Sequence, residues 1–346
     1  MSFENQLLEW YINNKRDLPW RKNKDPYRVW ISEIILQQTR VAQGEKYFNN
    51  FIKKFPSLKS LASSGESEVL KIWKGLGYYN RAINIHKTSR EIVNTLNGVF
   101  PNTYDELIKL KGIGDYTASA ISSICFNEYN PVVDGNVLRF LARYYGLKTP
   151  VDSLKGQRDI KEIGKILINK LDNPGDFNQA MMEYGALICT PFPNCESCMF
   201  NSKCIAFDNI EVDLIPIKSK RKKQKERFLN YIVFIDNQKN TIVNKRTNKD
   251  IWYKLNEFPL IESKTKIGNI TSLDEFKKLT DFNSLSIKEE NKEVYRVKHI
   301  LSHQILYISF YQIIVKETIS SGIHISKLNN YNFPVPITNF INKLLF

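Results

Sequence analysis

Apolar side chains recur at helical spacing through the first 210 residues, and the pattern turns strand-like after Phe228. Asp25-Pro26 reads as an N-cap followed by proline in the first helical position, opening a helix over 27–43 with Val29, Trp30, Ile34, Ile35 and Leu36 as its apolar face. Further helices are expected over 67–74, 80–96, 103–110, 116–126, 137–145, 157–171 and 176–188. Glycine or proline punctuates the gaps, at Gly75-Leu76-Gly77, Pro101, 112–114, Pro131 and Pro174-Gly175. Beyond Phe228 the strings FLNYIVFID, NTIVNKRT and HILSHQILYISFYQIIV alternate in part and predict strands, with helices over 273–279 and 338–345. The chain thus divides into an all-α domain at 1–210, a linker at 211–227 and an α+β domain at 228–346, without internal repeats.

Charge sharpens the picture. Lys and Arg number 50 against 36 Asp and Glu, a net +14. Such an excess favours a polyanionic partner, nucleic acid first and an anionic membrane second, although a lysine-, asparagine- and isoleucine-rich composition accounts for part of it. Lys218 to Arg227 (KSKRKKQKER) holds seven basic residues and one acidic, the composition of a mobile linker. No apolar run reaches membrane-spanning length, and MSFENQLLEW lacks the order of a signal peptide. The reading is a cytoplasmic protein with reduced cysteines.

Four of the five cysteines, Cys189, Cys195, Cys198 and Cys204, fall within sixteen residues, which in a reducing compartment favours a metal site over disulfides. Four thiolates suit either tetrahedral zinc or a [4Fe-4S] cluster. Zinc modules usually carry two separated C-x2-C pairs, whereas the C-x5-C-x2-C-x5-C pattern has one, which favours the cluster in a structural role. Cys125, in an apolar helix, reads as core.

Two carboxylates stand out. Glu33 sits in VWISEIIL with Ser32 as its only polar companion: either it lies at a solvent edge, or it is held in an apolar site with a raised pKa. Asp134, in PVVDG, lies at a turn where it would cap the next helix. Breaking a glycosidic bond proceeds through an oxocarbenium-like state and uses one acidic and one ionised carboxylate, and these two are the best-placed pair. In LKGIGDYTA, Gly112 and Gly114 form a tight turn before a helix, a device that holds a phosphate without reading sequence.

These motifs together resemble the helix-hairpin-helix DNA glycosylases, and within them the adenine glycosylase family MutY. The resemblance rests on LPWR (18–21), SEIILQQTRV (32–41), GLGYYNRA (75–82), LKGIGDYTA (110–118), VVDGNV (132–137) and FNQAMMEYGALICTP (177–191). It implies an all-α helix-hairpin-helix glycosylase domain with an iron–sulfur loop over 189–204, followed by a C-terminal α+β Nudix-like domain. Family members that also cut the DNA backbone carry a lysine after the hairpin that forms a Schiff base; Tyr116 stands there, implying a monofunctional enzyme that leaves an abasic site. By the resemblance, Glu33 protonates the leaving adenine, Asp134 stabilises or traps the oxocarbenium ion, and Tyr116 and Asn136 help hold Asp134 and the water. Leu18, Trp20, Arg21 and Gln179 match the pocket for the extruded base. Gln38, Leu76 and Tyr78 match the wedge that fills the gap.

LNEFP (255–259) and HILSH (299–303) match strings of the family's Nudix-like domain, with Ser302 and His303 on a loop that reads 8-oxoguanine; on their own the pair reads as solvent-facing residues at a strand start. No glutamate-rich Nudix box occurs, which argues against pyrophosphate hydrolysis. Two departures touch function: five residues rather than six separate the first two cluster cysteines, and Leu301 replaces the usual phenylalanine. The implied partner is duplex DNA with A:8-oxoguanine or A:G mispairs, bound by a monomer, and the implied cofactor is a [4Fe-4S] cluster. A glycosylase for another mispaired base, a catalytically silent iron–sulfur DNA-binding protein and a Nudix hydrolase on a DNA tether are the competing readings.

Overall fold

The computed structural model describes residues 1–219 and 223–344. Residues 220–222 of the basic run, and 345 in the last predicted helix, lie outside the described residues. Contacts divide the chain into two units, Met1–Leu76 with Arg81–Arg221, and Gly77–Asn80 with Lys222–Phe346.

The first unit is helical: α1 (Phe3–Asn14), α2 (Pro26–Leu36), α3 (Val41–Lys54), α4 (Leu58–Ala62), α5 (Glu66–Ile72), α6 (Asn80–Thr95), α7 (Tyr104–Leu107), α8 (Asp115–Phe126), α9 (Gly135–Tyr144), α10 (Leu154–Ile168), α11 (Pro174–Leu187) and α12 (Ile205–Asp208). Where the apolar pattern predicts one helix over 27–43, the chain breaks between α2 and α3, because Gln38 adopts a left-handed backbone (φ 60°). The unpredicted α1 buries Leu7 and Tyr11, and Ser2 caps it by accepting from the Asn5 amide. Leu7 and Tyr11 join Val137, Phe140, Phe177, Met181 and Tyr184 in one core, with α11 at its centre. Gly185 allows α11 to lie against the start of α9: a Cβ there would stand 2.6 Å from the Asn136 carbonyl oxygen.

The predicted hairpin joins α7 to α8. Gly112 has φ 81°, and a Cβ on it would meet Asn84 Cβ at 2.6 Å, so the turn requires glycine twice over. Asp115 opens α8, accepts from the Tyr104 hydroxyl (2.5 Å) and pairs with Lys161 of α10.

The linker assignment changes at both ends. Residues 211–219 belong to the helical unit, where the Val212 and Ile215 carbonyls accept from Arg143 and Ser219 bonds to Asp152. At the other end the first strand already begins at Lys225.

The second unit holds β1 (Lys225–Ile235), β2 (Asn240–Thr241), β3 (Asn244–Lys245), β4 (Asn256–Glu257), β5 (Leu260–Ser263), α13 (Asp274–Phe282), β6 (Ile287–Ile300), β7 (Gln304–Val315), β8 (Ile323–His324) and α14 (Val335–Leu344). Its main sheet has the order β5-β1-β7-β6, with β1 parallel to β7 and the other pairs antiparallel. Alternation along β1 separates two cores: Tyr231 and Val233 pack with Phe340 and Ile341 of α14, while Ile232 and Phe234 pack with Phe276 of α13. The long predicted strand over 299–315 is a hairpin instead. Leu301 N–H donates to Gln304 O (2.8 Å), leaving Ser302 and His303 exposed at the tip.

Candidate active site

A cavity of about 770 Å³ opens in the helical unit, between α2, α8, the start of α9 and α11. Glu33, Tyr116, Asp134, Asn136, Leu18, Trp20, Arg21, Gln38 and Gln179 all line it. Leu76, Tyr78, Gly112, Gly114, Ser302 and His303 do not.

Glu33 projects from α2 and is 6% exposed. Burial, reinforced by Asp134, lifts its pKa from 4.5 to about 7, against the opposing pull of the Tyr116 hydroxyl and Arg21. The solvent-edge alternative is thereby removed. Tyr116 donates to Glu33 Oε2 at 2.6 Å. The resemblance has Tyr116 help hold Asp134 and the water; the structure shows its hydroxyl bonded to Glu33, because the first turn of α8 faces α2.

Asp134 is both cap and cavity residue. Its Oδ1 accepts from the amides of Asn136 (2.9 Å) and Val137 (2.7 Å), and its Oδ2 accepts from Asn136 Nδ2 (2.7 Å). Burial raises its pKa, and these donors together with Arg139 oppose the rise. Three donors favour its charged form, against one for Glu33. Arg139 Nη2 donates to Asn136 Oδ1 (3.1 Å), which fixes the amide so that its Nδ2 faces the carboxylate. The same guanidinium donates to the Cys189 carbonyl through Nε (2.7 Å) and to the Gly185 carbonyl through Nη2 (2.6 Å).

Sequence reasoning misses Arg16 and Glu183. Glu183, 1% exposed, accepts from the Arg16 amide and guanidinium (3.0 and 2.7 Å) and from Arg21 (2.8 Å). Burial pushes Glu183 up, but the two arginines prevail and bring it to about 2. A signal for it exists: Glu183 stands in AMMEYGAL, as lonely a carboxylate as Glu33 in VWISEIIL.

Cys189, Cys195, Cys198 and Cys204 line one small pocket with Phe140, Tyr144 and Phe200. Arg143, 4% exposed, places Nη1 3.6 Å from Cys189 Sγ and holds the Thr190 (2.6 Å) and Pro191 (3.1 Å) carbonyls. Among the described residues, no three His, Cys, Asp or Glu side chains form a single-ion site.

Gln38 and Tyr78 share a left-handed backbone (φ 60° and 47°), unusual for side-chain-bearing residues. Within the second unit, to which contacts assign Gly77–Asn80, the Tyr78 hydroxyl donates to Ser302 Oγ (3.2 Å). Two residues 224 positions apart in sequence are thereby brought together.

A helical unit with a hairpin and paired carboxylates around one cavity defines a class: residues 31–167 match the HhH-GPD superfamily of base excision DNA repair proteins, and residues 230–343 match a NUDIX domain. An adenine DNA glycosylase of Buchnera aphidicola subsp. Schizaphis graminum is 40% identical over 308 residues, 88% of this chain and 86% of the relative. The adenine DNA glycosylase of Mus musculus is 41% identical over 220 residues, 61% of this chain and 42% of the relative. Among solved structures, a thermostable thymine-DNA glycosylase superposes with TM-score 0.55 at 28% identity, covering 60% of this chain and 95% of its own. The chain belongs to the adenine DNA glycosylase family, hydrolases of N-glycosyl bonds that serve base excision repair. Among the described residues, no helix is long and apolar enough to cross a membrane.

Proposed function

We propose that the protein removes adenine mispaired with 8-oxoguanine or guanine in duplex DNA and leaves an abasic site without cutting the backbone. The observation that carries this reading is the pairing of unlike carboxylates on one cavity: Glu33, buried with a pKa near 7, and Asp134, held toward its charged form by three donors. Glu33 protonates the departing base, and Asp134 stabilises the sugar cation as the bond breaks. Asn136 orients Asp134, and Tyr116 orients Glu33. Tyrosine in place of an amine after the hairpin supports a monofunctional reaction, because no Schiff base forms there.

Leu18, Trp20, Arg21 and Gln179 receive the extruded base, and Gln38, Leu76 and Tyr78 fill the space it leaves. The amides following Gly112 and Gly114 take a phosphate. Ser302 and His303, on the exposed tip of the β6–β7 hairpin, read the 8-oxoguanine; the hairpin geometry and the Leu301 substitution reshape that contact. The four cysteines fit a four-thiolate group, and the single C-x2-C pair together with the one pocket that all four line supports a [4Fe-4S] cluster over zinc. When bound, that group ties the 189–204 loop together.

The test uses duplexes with adenine opposite 8-oxoguanine, opposite guanine and opposite thymine. Strand breaks are expected only after hot alkali and only for the first two. Breaks before alkali, or release of another base, would overturn the reading. A yellow-brown protein supports iron, and a colourless zinc-containing one refutes it.

A further inference from the structure

The chain reverses sharply after α2 through Leu36–Thr39, closed by Thr39 N–H donating to Leu36 O (3.2 Å). Gln37 has φ −55° and ψ 112°, and Gln38 has φ 60°. These three angles and the closing hydrogen bond are those of a type II turn, whose third position ordinarily takes glycine because its φ is positive. A glutamine there is strained. Rotating the single peptide plane between residues 37 and 38 converts the turn to type I and relieves the strain by making the φ of Gln38 negative. The Gln37 carbonyl is the group that such a rotation reverses.

Arg81, on the first turns of α6, holds that carbonyl. Its Nη1 donates to Gln37 O at 2.6 Å and to Ile34 O at 2.7 Å, both at the carboxyl end of the helix that carries Glu33. Its Nη2 donates to Leu76 O (3.3 Å), in a second sharp turn where Gly75 has φ 98°. The guanidinium lies over Trp73, 5.4 Å from the ring centre. One rigid, planar cation therefore fastens two turns that sequence alone leaves 38 residues apart (76 minus 38).

We propose that Arg81 is a positioning residue that locks the Gln37–Gln38 peptide in the type II orientation. It thereby presents Gln38 at the rim of the cavity in register with Leu76. The inference rests on the proposed base-extrusion role of those two residues, but its structural half does not depend on it.

The experiment compares full-length wild type with Arg81→Met and Arg81→Lys. A crystal structure of Arg81→Met is expected to show Gln38 with negative φ. On a duplex carrying 2-aminopurine opposite 8-oxoguanine, duplex affinity is expected to stay within about threefold while the fluorescence rise on extrusion is lost. Single-turnover adenine release is expected to fall about 100-fold, the scale of a small misplacement. The pH dependence is expected to remain that of wild type, because Glu33 is untouched. Arg81→Lys, which keeps a cation and a donor, recovers release to within about tenfold of wild type.

Positive φ at Gln38 in Arg81→Met, or unchanged release, overturns the proposal. Failure of both variants to fold overturns it too, by making Arg81 purely structural. If wild type releases no adenine, the functional reading fails, while the φ of Gln38 still decides the lock.

Discussion

Replacing Glu33 by glutamine removes a titration while keeping an acceptor for the Tyr116 hydroxyl. In the unfolded chain Glu33 ionises near 4.5; in the cavity it does so near 7, chiefly because it is buried. Below about pH 4.5 it is protonated in both states, and its stabilising difference is fully present. As pH rises from there to about 7 the unfolded carboxyl ionises and the folded one cannot follow. The native state loses about 1.4 kcal/mol per pH unit, about 3 kcal/mol in all, and the curve is flat above. Glu33→Gln lacks this slope. Its advantage over wild type is therefore expected to grow by about 3 kcal/mol between pH 4.5 and pH 8. For a helical unit of this size that is about 6–12 °C in Tm. Thermal unfolding followed by far-UV circular dichroism across that range measures it, and excision of adenine by the same variant is expected to fall by about 10² to 10⁴. Parallel Tm-against-pH curves for the two proteins would refute the reasoning, for Glu33 would then be an ordinary carboxylate and no acid at neutral pH.

Other expectations follow from the same geometry. Single-turnover release is expected to fall about tenfold per pH unit above pH 7, as Glu33 loses its proton; a rate that climbs through pH 8 contradicts this. Asp134→Asn puts an N–H₂ group opposite Asn136 Nδ2, whose orientation Arg139 fixes, so release is expected to fall at least about 10³-fold; the α9 cap survives, because asparagine caps as well as aspartate, and Tm stays within a few degrees. Glu183→Gln strips Arg16 and Arg21 of their counter-charge, at a cost of about 2–4 kcal/mol at neutral pH. Since Glu183 is depressed to about 2, its stabilisation is present above pH 4.5 and fades as pH falls toward 2, so urea midpoints of variant and wild type are expected to converge in acid. Gly112→Ala is expected to cost about 1–3 kcal/mol in a urea titration, from its positive φ and the contact with Asn84.

Much of the helical unit and its cavity is legible in the sequence. The apolar pattern places α8, α9 and α11 within a few residues: α9 and α11 bury one face, and α8 is buried all round from Thr117 to Ile124. Glu33 is marked by its apolar company, and Asp134 by a turn followed by a helix. What escapes has no local signature. Gln38 breaks α2 from α3 without glycine or proline, because Arg81, 43 residues away (81 minus 38), supplies the restraint. Leu301–His303 turns a hairpin inside an apolar run without glycine, proline, asparagine or aspartate, so alternation reads through it. The hydrogen bond from Tyr116 to Glu33 escapes as well, because sequence order says nothing about which helix a side chain faces.

The hydrogen bonds at Asp134 make its two oxygens inequivalent. Oδ1 has both lone pairs committed to backbone amides at the start of α9, whereas Oδ2 has one taken by Asn136 and one remaining. A carboxylate on a freely turning side chain offers either oxygen from either side. This one cannot spin without unwinding a helix, so it offers one electron pair in one direction. A direction follows: whatever Asp134 presents to the cavity it presents from a single side, and that side is set by a helix cap.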